Sequence, residues 1–169
     1  MPESARDFYF GTVTLGNFAL VRRLDLLVAR YGRRLYVTQE VLGEVMDGIV
    51  CGYSLLAGIE AALDAGQFSS ARALAASERR PFQRLLRTLA PGEASCIACA
   101  KARKGVVATD DRAARECCAG EGDPCTGTIG ILKACCAAGK LSPPAADEVL
   151  QAMIEAGYHA PVSRISGLL

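Results

Sequence analysis

Apolar residues along this chain fall into short unbroken runs, separated by longer stretches in which they recur with helical spacing. Phe8 to Phe10, Leu35-Tyr36-Val37 and Val106-Val107-Ala108 are continuous triplets, the pattern of strands buried on both faces. After the polar turn Gly11-Thr12, Phe18, Val21, Leu24 and Val28 share one side of a predicted helix over Asn17–Arg30. Thr38 is suited to cap the next helix, which carries Val41, Glu44 and Val45 before Gly48 to Gly52 interrupts the spacing. Residues 53–89 predict two helical pieces split around Gly66–Ser70, with Ser69 or Ser70 as a cap for the second. Pro91-Gly92 then punctuates the chain ahead of a small-residue helix from Glu93 to about Lys104, closed by Gly105.

The remaining third continues the alternation. A helix is predicted over Asp111–Ala119 and a polar loop over Gly120–Pro124. Cys125–Leu132 reads as a very short strand running into a helix that Gly139 closes, and Pro124 suits an edge strand better than a central one. Ser142 and Pro143 supply an N-cap and first helical residue for Pro143–Ala156, and Tyr158–Ile165 reads as irregular before a final short turn. Strands alternating with helices imply a parallel sheet with helices on both faces. With 169 residues and no internal repeat or low-complexity linker, one α/β domain over residues 1–169 is expected.

Composition narrows the function classes. The chain lacks an apolar run approaching the ~18 residues of a membrane span, and the start MPESARDFYF lacks the basic flank and apolar region of a signal peptide. A cytoplasmic protein without membrane attachment is expected. Nineteen basic and eighteen acidic side chains leave a net charge of +1, which excludes the global basic field of a nucleic-acid coat protein. Arg22, Arg23, Arg30, Arg33 and Arg34 form one local group, and Arg79, Arg80, Arg84 and Arg87 a second. These are read as solvated helix faces or as a phosphate-contacting rim. Eight cysteines are expected to be reduced in such a compartment. Cys96 and Cys99 form a CxxC that an alanine-rich helix stacks on one face. That placement, like those of Cys117-Cys118 and Cys135-Cys136, reads as small apolar filler rather than a zinc or iron–sulfur site.

The candidate chemistry lies in the acids. TDDRAAR, Thr109 to Arg115, sets Asp110 and Asp111 where a strand gives way to a helix. Glu44 and Glu93 also fall near the first turn of a helix or just past a strand. In a parallel sheet such positions share the carboxyl edge, where ligands bind. Oxygen ligands there suit Mg²⁺ or Mn²⁺. The competing reading is a set of ordinary acids favoured by helix N-termini. His159, the only histidine, has no partner motif and reads as a surface residue. Asn17 reads as a helix cap or a site residue.

The segments GTVTLGNFA, YVTQEVLGEV, LAPGEASCIACA, VVATDDRAAR and TGTIGIL, in that order, resemble the PIN-domain family, specifically its branch of small VapC-like proteins. The resemblance runs from about Phe8 to Leu169. It implies a three-layer domain with a central parallel sheet of about five strands, and toxin-type, Mg²⁺- or Mn²⁺-dependent cleavage of RNA. By the same resemblance the partners are RNA, an antitoxin-like protein and a second copy in a homodimer. Carried over residue by residue, Glu44, Glu93 and Asp110 correspond to catalytic, metal-binding acids, with Asp111 as a fourth acid that assists. Thr12, Asn17 and Thr128 correspond to substrate-side polar residues, and Arg115 is placed with the arginines that hold phosphates.

Where the family carries an acid at the end of its first strand, this chain has Gly11. Asp7 is a poor substitute, because four extended residues span roughly 13 Å. Weakened catalysis is therefore expected. Two alternatives stay open: a non-catalytic remnant that binds RNA or an antitoxin-like partner, and a receiver-like phosphoacceptor domain. The second fits less well, because its acidic pair belongs near the first strand.

Overall fold

The three apolar triplets form the inner strands of a parallel sheet. In the computed structural model, which describes residues 5–169, β1 (Phe8–Phe10) lies between β2 (Leu35–Val37) and β4 (Val106–Ala108). Phe8 stands opposite Leu35 on one side and Val106 on the other. Two-residue edge strands, β3 (Ser69–Ser70) and β5 (Cys125–Thr126), complete the order β3-β2-β1-β4-β5, all parallel. β1 and β4 are buried throughout, which is why their sequences are apolar on both faces. Residues 1–4, part of the start expected to lack a leader, lie outside the described residues.

Nine α-helices are found among the described residues: α1 (Thr12–Leu20), α2 (Leu24–Arg30), α3 (Gln39–Val50), α4 (Ala57–Asp64), α5 (Ala76–Leu85), α6 (Pro91–Arg103), α7 (Arg112–Glu121), α8 (Thr128–Ala137) and α9 (Pro143–Glu155). With the sheet they make a three-layer α/β fold. Thr38 caps α3 by accepting from Val41 N at 3.2 Å, an interaction typically worth about 1 kcal/mol. Ser142 caps α9 in the same way, with Pro143 as its first residue. Among the described residues no helix is long and apolar enough to cross a membrane.

Several boundaries differ from the sequence expectation. The first helix begins at Thr12 rather than Asn17, because Gly11 serves as its N-cap directly after β1. It also breaks before Leu24, where Arg22 takes a left-handed conformation with φ 58°. The break lets Leu26 and Leu27 turn fully inward while Leu24 and Val28 stay half-buried. Ser69 and Ser70 cap no helix; they pair with Tyr36 and Val37 as an edge strand. α5 starts instead after Ala75, whose N–H donates to the Glu78 carboxylate at 2.9 Å. α3 runs on through Gly48 to Val50. At the end of α6 the left-handed residue is Lys104, at φ 55°. Gly105 is needed for a different reason, since a Cβ there would lie 2.8 Å from the Asp7 carbonyl oxygen.

The core is centred on β1. Phe8 and Phe10 flank Tyr31 with ring centroids 4.7 and 5.4 Å away, and Phe18, Leu27, Leu35, Ile97, Leu132 and Leu150 are sealed around the sheet. Each such side chain contributes about 1.5–3 kcal/mol by leaving water. Cys96 and Cys99 pack here as fully buried free thiols.

This order fixes where a ligand can enter. The chain lays β2 and β3 to one side of β1 and β4 and β5 to the other, so the crevice of an open parallel sheet falls between the carboxyl ends of β1 and β4. Gly11 and the Thr109-Asp110-Asp111 run leave the sheet at that point, and Gly11 N donates to Ala108 O at 2.8 Å.

Candidate functional site

Asp110 follows β4 and is held from several directions. Its carboxylate accepts from the Thr14 hydroxyl at 2.9 Å, from Thr128 N at 3.0 and 3.2 Å, and from the Tyr158 hydroxyl at 3.1 Å. The Thr128 hydroxyl donates to it as well. Asn17 Nδ2 donates to the Thr128 hydroxyl oxygen at 2.9 Å and lies 3.5 Å from Asp110. Hydrogen bonds to a charged acceptor are worth about 1.5–3 kcal/mol each, so this shell fixes the Asp110 carboxylate in one orientation. Gly127 permits the approach, since a Cβ there would sit 2.7 Å from Asp110 Oδ1. Burial, followed by the charge of Asp110 and the hydrogen bond to it, pushes the Tyr158 phenol well above its ordinary value.

Glu93 occupies the first turn of α6 and is only 8% exposed. Its Oε2 is buried without a hydrogen-bond partner. Burial pushes the Glu93 carboxyl up to about 7. A hydrogen bond with Thr109 pulls the other way, while the charges of Asp111, Glu44 and Asp110 add to the rise. The carboxylate rests directly against Gly11, where a Cβ would lie 2.5 Å from Glu93 Oε1. Glu93 thus fills the space into which a side chain at the end of β1 would project. Gly11 itself has extended geometry, φ −72° and ψ 160°, so its backbone accepts any residue.

Glu44, on α3, is seated by two donors. The Thr12 hydroxyl reaches its Oε1 at 2.7 Å, and Gly92 N reaches its Oε2 at 3.1 Å. The absence of a side chain on Gly92 lets this carboxylate approach, since a Cβ there would stand 2.1 Å from Glu44 Oε1. Asp111 is the N-cap of α7, accepting from Ala114 N at 2.8 Å, and its own N–H donates to the Thr109 hydroxyl oxygen at 3.0 Å. One of its oxygens is thereby committed to the helix. Arg115 is exposed and spans the rim, donating to Thr109 O at 3.0 Å.

The edge therefore sets Glu44, Asp110 and Asp111 each within Coulombic reach of Glu93, with Thr12 on Glu44, Asn17 and Thr128 on Asp110, and Arg115 at the rim. Thr14 and Tyr158 belong to the same shell but had no sequence signal as site residues. Asp7 lies before β1, its carbonyl accepting from Val106 N at 2.9 Å, at the strand end opposite the acids. His159 is exposed.

Donor chemistry here fits a hard divalent cation: carboxylate and hydroxyl oxygens, one carboxylate oxygen without a partner, and mutual repulsion that a cation would relieve. The side chains as placed do not close around one. Among the described residues, no group of three or more His, Cys, Asp or Glu side chains forms a ligand set for an ion.

Against known protein families, residues 9–169 match the family described as PIN domain. No curated protein matches the chain.

Proposed function

The chain belongs to the PIN-domain family, and from that premise we propose that it is a divalent-metal-dependent ribonuclease whose catalysis is weakened by Gly11. The observation that carries this reading is the buried, unpartnered Glu93 Oε2 beside Gly11, in Coulombic contact with Glu44, Asp110 and Asp111. Structural acids at helix N-termini are expected to be solvated or capped; an orphaned carboxylate among like charges is not.

Glu44, Glu93 and Asp110 would hold Mg²⁺ or Mn²⁺, which supplies charge neutralisation at a phosphodiester and lowers the pKa of bound water. The chain's own residues set the stage for this. Thr14, Thr128 and Tyr158 aim the Asp110 carboxylate, while Thr12 and Gly92 do the same for Glu44. Arg115 stands at the rim to hold a phosphate away from the acids. Asp111 contributes charge while its cap orders the start of α7. The absent first-strand acid leaves Glu93 to stand in that space, and at neutral pH a carboxyl held at about 7 is ionised only in part. That combination reduces anionic charge and misplaces an attacking water, which is why activity is expected to be weak.

The reading includes one domain across residues 1–169 and a cytoplasmic, toxin-type role with an antitoxin-like protein partner and a homodimeric state. A second reading, a non-catalytic remnant that binds RNA or a protein partner, is favoured by Gly11 and by the engagement of Asp110 with so many donors. Calorimetric titration with Mn²⁺ at pH 8 separates the two. The ribonuclease reading expects about one site per chain, abolished by Asp110→Asn; absence of binding by the parent selects the remnant.

A further inference from the structure

A cleft of about 360 Å³ opens directly beside the acids, lined among others by Thr12, Asn17, Tyr53, Leu56, Met153 and Tyr158. Three of these six already touch the acidic site: Thr12 donates to Glu44, Tyr158 to Asp110, and Asn17 to Thr128 and Asp110. The other three supply a flat, apolar wall. Tyr53 is 58% exposed, whereas Leu56 and Met153 form the buried floor. We propose that this cleft is a nucleobase subsite that takes one unpaired base next to the phosphate at the acids, and that it prefers bases bearing an exocyclic amine. The proposal rests on the nucleic-acid reading above and adds which part of the strand is gripped and by what.

The amine preference follows from where the protons point. Asp110 accepts the Thr128 hydroxyl proton, so the Thr128 oxygen accepts from Asn17 Nδ2. That sequence fixes the Asn17 amide with its nitrogen toward Thr128 and leaves its carbonyl oxygen as an acceptor. The Thr12 and Tyr158 hydroxyl protons are likewise spent on Glu44 and Asp110. The side chains at the polar end of the cleft therefore offer acceptors and no free donors. An amine such as that of cytosine or adenine matches it, and the carbonyl of uracil at the same ring position meets oxygen lone pairs. Leaving such polar groups unmatched is how a built site rejects an analogue. The exposed Tyr53 ring supplies stacking that every base can use.

Binding of fluorescent oligo(rC) and oligo(rU) of equal length, measured by anisotropy in Ca²⁺ buffer, tests both parts with pyrimidines of one size. The expected result is several-fold tighter binding of oligo(rC). Tyr53→Ala should weaken both by about tenfold, within the range for loss of a base-stacking ring, while Tyr53→Phe should match the parent. Equal binding of the two oligonucleotides, or a Tyr53→Ala variant with native circular dichroism and unchanged affinity, overturns the subsite while leaving nucleic-acid binding intact. A parent that binds neither oligonucleotide overturns the nucleic-acid reading and the subsite with it.

Discussion

Replacing Glu93 by glutamine should stabilise the fold in a pH-dependent way. Burial and the neighbouring carboxylates hold the Glu93 carboxyl at about 7, against an ordinary 4.5. At about 1.4 kcal/mol per pH unit, ionising it inside the fold costs about 3 kcal/mol relative to the unfolded chain. The sign follows from proton linkage: between those two pH values the folded protein binds more protons than the unfolded one, so stability falls as pH rises. The contribution of the neutral carboxyl is fully present below pH 4.5 and lost as pH climbs through 7. Glutamine is neutral throughout and about the same size, so Glu93→Gln should gain about 2–3 kcal/mol at pH 8 and change little at pH 4.5. In urea that gain is a midpoint shift of about 1 M. The assay is urea unfolding of parent and variant at both pH values without added metal. A variant no more stable than the parent at pH 8, or equally stabilised at pH 4.5, would refute the assignment of Glu93 as a strained, buried acid.

Gly92→Ala should separate metal binding from stability. Its Cβ would stand 2.1 Å from Glu44 Oε1, so Mn²⁺ affinity should drop at least about tenfold, while alanine in the first turn of α6 leaves the melting temperature unchanged or slightly raised; calorimetry beside a thermal melt checks both. Tyr158→Phe removes one donor to Asp110 and should cost about 1–2 kcal/mol in urea unfolding, with an unchanged midpoint counting against the observed contact.

Much of the architecture was legible in the sequence because the inner strands are buried on both faces and so appear as unbroken apolar triplets. The caps at Thr38 and Ser142 were equally plain, since their side chains act within three residues. Ser69 and Ser70 carried no such signal. They are polar, two residues long, and become a strand only because Tyr36 and Val37 offer open backbone groups. The split of the first helix was hidden for a related reason: Leu24 and Val28 fit helical periodicity, yet packing selects Leu26 and Leu27. At the site, Glu93, Asp110 and Asp111 stood out as candidates by their places after a strand or at a helix start, whereas Glu44 lies in the second turn of α3 rather than near its first, where the sequence had suggested it. Tyr158 could not, because it lies 48 residues from Asp110 in the chain and reaches it only through the fold. Gly11 was read as a missing ligand. The structure adds that the Glu93 carboxylate fills the space a side chain on Gly11 would need, a neighbour relation that no spacing reveals.

The proposed ribonuclease activity needs a divalent metal at the acidic edge, and Gly11 is proposed to limit it. Gly11 has φ −72°, so aspartate is tolerated by the backbone, and the Glu93 carboxylate that it would meet is the far end of a flexible side chain. The decisive measurement is Mn²⁺-dependent cleavage of a structured RNA pool by the parent, Gly11→Asp, and Gly11→Asp combined with Asp110→Asn. Weak cleavage by the parent, a gain of about 10²-fold for Gly11→Asp, and loss of that gain in the double variant are the predicted results. A parent as active as Gly11→Asp would contradict the role given to Gly11, and a folded Gly11→Asp chain that neither binds Mn²⁺ nor cuts would contradict the metal site itself.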